Sequence, residues 1–242
     1  METGLHKQAV QLCIFEYAHL LKQLKDLGQL LTPEEEERAL RFKTERLQNE
    51  FRAGRGQLRL LLGEVFDRDP KSITFEYGEL RKPFLHDHSL HFNVSHSKEF
   101  WGVAWSKKAP LGLDIEFKNP DLNYPQLART FCCSAEMDYL QKVQGSEQKE
   151  RFFQLWSAKE SLIKKDGRGL SMPVKLVELS PLSNAQTGNL RVNTLGETSL
   201  DRPEELQIKA FDFHPEYSLA LCTEGTFPTE IHFNKSPNIR PL

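Results

Sequence analysis

The stretch from residue 152 to residue 165 constrains the fold most strongly, because it has the pattern of a long amphipathic helix. Its apolar residues recur at helical spacing, which predicts one face packed against a hydrophobic core. Glu160 and Lys164 are four residues apart, so a helix brings their side chains together, with Trp156 one turn earlier on the same strip. A surface pair of this kind contributes only about 0.2–0.5 kcal/mol. The pair gains functional meaning only if other charges converge on it.

The composition is that of a folded globular protein. The chain has 242 residues, of which 38% are hydrophobic and 27% charged, enough for one large domain or two small ones. The net charge of -2 means that a nucleic-acid or membrane role would need a local patch. Without a long apolar run, a signal-peptide pattern, or cysteines at zinc-ligand spacing, the sequence predicts a cytoplasmic protein with no membrane partner.

A long helical region is predicted after Thr32, where Thr32 and Glu35 form a capping-box pattern. Its arginines recur at spacings of three, four and seven: Arg38, Arg41, Arg52, Arg55 and Arg59. This basic stripe is either a solvated helix face or, since few acids beyond Glu37 accompany it, a surface for an anion such as a polyphosphate. Gly54 and Gly56 either break the helix or let another segment approach its backbone closely.

Residues 111–116 alternate as a strand with two distinct faces. The apolar residues face the core, whereas Gly112, Asp114 and Glu116 share the opposite face, with the two acids roughly 7 Å apart along the strand. Oxygen ligands in this number suit magnesium, and we expect the missing side chain of Gly112 to leave room for a ligand. The alternative is a solvent-facing acidic pair.

Two further strands are predicted at residues 90–94 and 101–105, joined by a polar segment that contains Ser95 and His96. Neighbouring residues on an extended chain point to opposite faces, so Ser95 and His96 do not form a nucleophile and its base. The sequence also lacks a nucleophile-elbow motif. These observations exclude a serine hydrolase built on this pair.

Three sequence blocks together resemble the Sfp-type 4'-phosphopantetheinyl transferases, over about residues 10 to 222. They are a Phe-Asn-x-Ser-His-Ser block (Phe92 to Ser97), the strand block (Leu111 to Glu116), and Trp-Ser-x-Lys-Glu-Ser-x-x-Lys (Trp156 to Lys164). The resemblance implies an α+β fold of two similar α/β lobes in a pseudo-twofold arrangement, with the active site between them. Residues 1–110 would form the N-terminal lobe, with the nucleotide contacts, and residues 111–242 the C-terminal lobe, with the metal-binding acids and the catalytic helix.

The activity implied by the resemblance is Mg-dependent transfer of the 4'-phosphopantetheine arm of coenzyme A to a serine of an apo acyl- or peptidyl-carrier protein, releasing adenosine 3',5'-bisphosphate. Magnesium, or manganese in its place, would be held by Asp114, Glu116 and Glu160. The catalytic residues would be Asp114, Glu160 and Lys164. The coenzyme A contacts would be Arg38, Arg55, Lys82, Ser95, His96 and Lys164. Whether Glu160 binds the metal, takes the serine proton, or does both stays open at this point.

Two other hypotheses use the same residues. A Mg-dependent phosphohydrolase could be built on the same acids, and it would hydrolyse a phosphoester without any carrier protein. A nucleic-acid-binding protein could use the stripe from Arg38 to Arg59, and its binding would depend steeply on salt. The resemblance favours a monomeric transferase with no nucleic-acid partner.

Overall fold

The computed structural model describes residues 9–78, 82–86, 89–181, 189–225 and 228–235, which form an α+β fold as predicted. Its strands, in chain order, are β1 (Val10–Glu16), β2 (Phe75–Tyr77), β3 (Pro83–Leu85), β4 (His91–Ser97), β5 (Phe100–Ser106), β6 (Gly112–Phe117), β7 (Val177–Pro181), β8 (Asn189–Thr194), β9 (Leu206–Phe211), β10 (Tyr217–Glu224) and β11 (Thr229–Phe233). Its α-helices are α1 (Tyr17–Leu21), α2 (Leu24–Gly28), α3 (Pro33–Leu40), α4 (Glu45–Phe66), α5 (Tyr124–Phe131), α6 (Ser134–Gln141) and α7 (Gly145–Asp166). None of these helices is long and apolar enough to cross a membrane.

The strands form two main sheets that pack face to face. The first has the order β11-β1-β5-β4 and the second β6-β10-β9-β8-β7, while β2 and β3 form a separate pair. Alternation along β1 explains the layers: Cys13 and Phe15 belong to the core under α4, whereas Leu12 and Ile14 face the core between the sheets. Leu113 and Ile115 of β6 enter that same central core, as predicted. The helix α7 covers the outer face of the second sheet, so the order of layers is α4, sheet, sheet, α7.

The final strand β11 returns to the first sheet. It pairs in parallel with β1, with Val10 opposite Thr229 and Ile14 opposite Phe233. The division into lobes at residues 110 and 111 stays a prediction, and the return of β11 means that the first sheet contains a segment from the far end of the chain.

The predicted helix start at Thr32 is confirmed. Thr32 Oγ1 accepts a hydrogen bond from the Glu35 amide at 3.3 Å, and the Glu35 carboxylate accepts one from the Thr32 amide at 3.0 Å. The helical region is interrupted at residues 41–44 and not at its glycines. A Cβ atom on Gly54 would lie 2.7 Å from Trp101 Nε1, and one on Gly56 would overlap the backbone of α2. The two glycines therefore let Trp101 and α2 pack closely against α4.

Candidate active site

The strand β6 and the helix α7 touch at Gly112. A Cβ atom there would overlap the backbone of α7 at Ser161 and Lys165. The expectation that Gly112 leaves room for a ligand is therefore wrong, because the helix itself fills that space. The glycine instead allows α7 to lie directly against the strand that carries Asp114 and Glu116.

The three sequence blocks converge on one charged cluster. Asp114 is 4% exposed, and its Oδ1 atom forms an ion pair with Lys164 Nζ at 2.7 Å. Lys164 also donates a hydrogen bond to Ser95 Oγ at 2.8 Å. Its ion-pair partner is thus the strand acid Asp114, and not Glu160 on its own helix. The second carboxylate oxygen of Asp114 is buried and has no hydrogen-bond partner.

The pKa values of Asp114, Glu116 and Glu160 are all raised, and burial is the largest cause for each. Burial raises the pKa of Asp114, and the neighbouring Lys164 opposes that shift. Burial and the charge of Asp114 together raise the pKa of Glu116 to about 7, with a smaller contribution from Glu160. Burial and the charge of Asp114 also raise the pKa of Glu160. The shifts show three acids sharing one region of low dielectric constant, where their charges repel.

The carboxylates of Asp114, Glu116 and Glu160 are ligands of the kind that a divalent cation takes, although they are not arranged as a preformed coordination site. Within the described parts of the chain, no group of three or more His, Cys, Asp or Glu residues is arranged to hold a metal ion. The ammonium group of Lys164 sits instead against Asp114, where it supplies the positive charge. The unpartnered oxygen of Asp114 and the repulsion among the three carboxylates match the oxygen-only chemistry that Mg²⁺ prefers.

Lys82 and His96 lie beside this cluster. Lys82 Nζ donates hydrogen bonds to the carbonyl oxygens of Lys164 at 2.6 Å and of Leu111 at 3.4 Å. Burial, and then the charge of Lys165, lowers the pKa of Lys82 to about 8. His96 lies at the exposed rim, where partial desolvation and the charge of Lys164 lower its pKa. Both predicted coenzyme A contacts are therefore in the electrostatic environment of Lys164.

Arg38 and Arg55 form a second group, held by α3, α4 and β2. The guanidinium group of Arg55 is buried and lies 4.6 Å from the centre of the Phe75 ring, and its Nη1 atom has no hydrogen-bond partner. Burial lowers the pKa of Arg55, and the charge of Arg38 contributes to that shift. The guanidinium of Arg38 lies 5.4 Å from the centre of the Tyr77 ring. Aromatic rings can stack on a base, and a guanidinium with one unpartnered nitrogen can bind a phosphate, so this group is suited to a nucleotide.

The basic stripe does not form a continuous basic surface, which corrects the sequence-based expectation. Arg59 is 2% exposed, and its Nε atom lies 2.7 Å from Glu35 Oε2. Arg52 binds the carboxylate of Glu36 through two of its nitrogens. The acids that offset these arginines are on the preceding helix α3, which packs against α4. Arg52 and Arg59 are therefore taken up by hydrogen-bonded ion pairs, and Arg55 Nε lies at the longer distance of 3.6 Å from Glu35 Oε1.

Sequence reasoning missed a second lysine on α7. Lys159 is 1% exposed and pairs at 2.6 Å with Glu136, which is 2% exposed. Glu136 lies in the first turn of α6, and its carboxylate also accepts hydrogen bonds from the Cys133 and Leu179 amides. A lysine in the middle of an apolar helical face was the signal that could have revealed this pair.

Comparison with known proteins supports the resemblance. The model of the 4'-phosphopantetheinyl transferase superfamily matches residues 110–222, and that of the 4'-phosphopantetheinyl transferase N-terminal region matches residues 18–108. The 4'-phosphopantetheinyl transferase ffp of Bacillus subtilis is 30% identical over 210 residues, which cover 85% of this chain and 88% of the relative. The chain belongs to the 4'-phosphopantetheinyl transferase family. The expected family and enzyme class are thus confirmed.

Other relatives lie within the same family. The 4'-phosphopantetheinyl transferase Sfp of Bacillus subtilis strain 168 is 29% identical over 206 residues, covering 83% of this chain and 86% of the relative. Among solved structures, a holo-(acyl-carrier-protein) synthase from Bacillus anthracis, in complex with CoA (3',5'-ADP), aligns with 49% of this chain and 97% of its own length, at 16% identity and a TM-score of 0.39.

Proposed function

We propose that the cluster of Ser95, Asp114 and Lys164 is where this 4'-phosphopantetheinyl transferase moves the 4'-phosphopantetheine arm of coenzyme A to a serine of an apo carrier protein. The observation that carries the proposal is the convergence of one residue from each sequence block on Lys164, at 2.7 Å to Asp114 and 2.8 Å to Ser95. Phosphoryl transfer asks the protein mainly for positioning and for stabilisation of charge, and the cluster offers both.

Asp114, Glu116 and Glu160 are the residues that would hold magnesium, or manganese in its place. A bound ion of this kind would neutralise charge on the pyrophosphate of coenzyme A. The unpartnered oxygen of Asp114 and the raised pKa of both glutamates support this assignment. The magnesium requirement, the monomeric pseudo-twofold state and the cytoplasmic location stay predictions from the sequence.

Lys164 and Lys82 would bind the phosphates. The side chain of Lys164 is 30% exposed and flexible, so it can turn from Asp114 towards a phosphate oxygen on the open side of the cluster. Lys82 is held against the last turn of α7 and brings a second positive charge to the same place. Ser95 and His96 would orient the pyrophosphate, while Arg38 and Arg55 would bind the nucleotide end.

In the reaction, the oxygen of the carrier serine forms a bond to the β-phosphorus of coenzyme A. The bond from that phosphorus to the oxygen of adenosine 3',5'-bisphosphate breaks, and the leaving group takes the electron pair. The serine proton needs an acceptor near the reacting atoms. Glu160 is a suitable acceptor, since its raised pKa brings it closer to the operating pH of a general base.

The test is to incubate the protein with coenzyme A, magnesium and several apo acyl- and peptidyl-carrier proteins, and to measure carrier mass. We expect the wild type to add one phosphopantetheine group per carrier, and Asp114→Ala to add none. No mass gain on any carrier, while a known transferase modifies the same samples, would overturn the proposal. Turnover of a phosphoester without a carrier would support the phosphohydrolase alternative instead.

A further inference from the structure

The strands β4 and β6 belong to different sheets and are joined by side chains. Three residues of β4 accept hydrogen bonds from backbone amides of β6: Asn93 Oδ1 from Leu113 N at 2.8 Å, Ser95 Oγ from Ile115 N at 3.0 Å, and Ser97 Oγ from Phe117 N at 3.0 Å. Both strands advance by two residues at each step, so they run parallel and in register. We name this set of three hydrogen bonds the side-chain ladder.

The ladder satisfies amides that would otherwise be buried without a partner. Alternate amides of a strand point to the same edge, so those of residues 113, 115 and 117 all face β4. Asn93 and Ser95 are only 5% and 4% exposed, which keeps water away from these amides. Because a side chain lies between the two backbones, their spacing exceeds the roughly 4.8 Å of paired strands. The distance between the backbones of β4 and β6 is therefore set by the length and shape of the Asn and Ser side chains.

The ladder also connects the two halves of the candidate site. Its middle residue, Ser95, receives the hydrogen bond from Lys164. Between its three positions on β6 lie Asp114 and Glu116, the two strand acids. On its other edge, β6 pairs with β10, and its first residue Gly112 lies against α7. β10 and α7 thus contact β6 on two sides, and the side-chain ladder contacts it on the side of Ser95 and His96.

We propose that Asn93 and Ser97, the outer residues of the ladder, are positioning residues that hold the acids of β6 in register with Ser95 and His96. The inference rests on the proposed function of that site. In this role the two residues act through the strand and do not touch the reacting atoms. Loss of either acceptor lets β6 shift against β4, which moves Asp114 and Glu116 relative to the phosphate-binding residues.

Isosteric substitutions separate hydrogen bonding from packing. Ser97→Thr keeps the hydroxyl group. Ser97→Val has nearly the same shape as the threonine variant but lacks the hydroxyl group. Asn93→Leu removes the acceptor at the more buried end. Ser106→Ala is the control, because Ser106 is a buried serine of β5 whose hydroxyl accepts from the Lys108 amide, outside the ladder.

Three quantities are measured: the affinity for Mn²⁺, by water-proton relaxation, and kcat and KM for coenzyme A with a carrier. We expect Ser97→Val and Asn93→Leu to weaken Mn²⁺ binding about 10-fold and to lower kcat by a similar factor. KM for coenzyme A should change less, because its phosphate contacts lie largely outside β6. Ser97→Thr and Ser106→Ala should stay near the wild type.

Several results would overturn the inference. One is a folded Ser97→Val protein that binds Mn²⁺ and turns over like the wild type. Another is an equal loss in Ser97→Thr and Ser97→Val, which would make shape and not hydrogen bonding the cause. If Asn93→Leu does not fold, the comparison of Ser97→Thr with Ser97→Val still tests the inference. A wild type that modifies no carrier contradicts the proposed function alone, since the Mn²⁺ affinities of the variants still test the ladder.

Discussion

Two lysines of α7, Lys159 and Lys164, each pair with a buried carboxylate, and the two pairs differ in how completely their hydrogen bonds are satisfied. Lys159 pairs with Glu136 at 2.6 Å, and both side chains are 2% exposed. Lys159 also donates to three backbone carbonyls, and Glu136 accepts from two backbone amides. Lys164 pairs with Asp114 at a similar 2.7 Å, but Lys164 is 30% exposed and one oxygen of Asp114 has no partner.

The comparison separates a pair that holds the fold from a pair that can bind. When every donor and acceptor is used, as at Lys159, no capacity is left for a ligand. At Lys164 the unused oxygen and the exposed ammonium leave both charges able to take new partners. The two lysines are five residues apart, so one helix carries both kinds of pair.

The largest effect is expected from breaking the closed pair. Lys159→Met leaves the carboxylate of Glu136 buried without its cation, which should lower the free energy of unfolding by about 3–5 kcal/mol. Chemical denaturation measures this change. The double variant Glu136→Gln with Lys159→Met leaves no buried charge and should recover much of the loss. An unchanged unfolding free energy in Lys159→Met would contradict the structural role.

Breaking the open pair should affect activity and not folding. Asp114→Asn keeps the shape of the side chain and an acceptor for Lys164, so the melting temperature should stay near that of the wild type. Transfer to a carrier should fall by about 100-fold or more, because a charged group next to the reacting phosphates is lost. Carrier mass and thermal unfolding check the two parts. A large drop in melting temperature would mean that this pair also stabilises the fold.

Both stability and the binding of coenzyme A should depend on pH through the protonation of Lys82. Its pKa is lowered to about 8 in the folded protein, so the folded state loses this proton before the unfolded state does. Burying the charged form therefore costs stability below pH 8, and stability from this group rises as pH increases from 8 towards 10.5. Phosphate binding needs the charged form, so KM for coenzyme A should increase above pH 8.

Kinetics across this pH range test the Lys82 assignment. Lys82→Met should have a higher KM at pH 7 and should lack the additional rise above pH 8 that the wild type shows. The same rise in both proteins would assign it to another group.

A smaller contrast is expected between two arginines of α4. Arg55 has an unpartnered nitrogen, and its Nε atom lies 3.6 Å from Glu35 Oε1, beyond hydrogen-bond distance, so Arg55→Lys should raise KM for coenzyme A and cost less stability than Arg59→Lys. Arg59 is bonded to Glu35 and to the carbonyl of Ile73, so Arg59→Lys should cost about 1–3 kcal/mol of unfolding free energy with little change in KM. Parallel denaturation and kinetics would measure both. Equal effects of the two substitutions on KM would contradict the distinction.

The sequence predicted the elements of the site better than their contacts. Alternation on β6 correctly placed the side chains of Leu113 and Ile115 in the core, and the capping box at Thr32 was found from its four residues. Such features are local, so spacing reveals them. The pairing of Lys164 with Asp114 could not be read in this way, because it depends on how α7 lies across a strand 50 residues earlier.

Tertiary packing also explains the expectations that failed. The space beside Gly112 was taken by the backbone of α7, which no spacing rule reveals. The basic stripe was neutralised by Glu35 and Glu36 of α3, acids that precede the stripe in sequence but turn back to face it. In both cases the deciding neighbour lies on another element. Composition and periodicity describe one element at a time.

The parallel pairing of β1 with β11 has a consequence for synthesis. The two strands are separated by 219 residues, from Val10 to Thr229. At about 5–20 residues per second, β1 is made on the order of 10–40 s before its partner on a ribosome. During that time the backbone N–H and C=O groups on the β11-facing edge of β1 have no strand partner and could pair with another chain. Premature termination after β10 would leave that edge exposed for the lifetime of the product, and aggregation would follow.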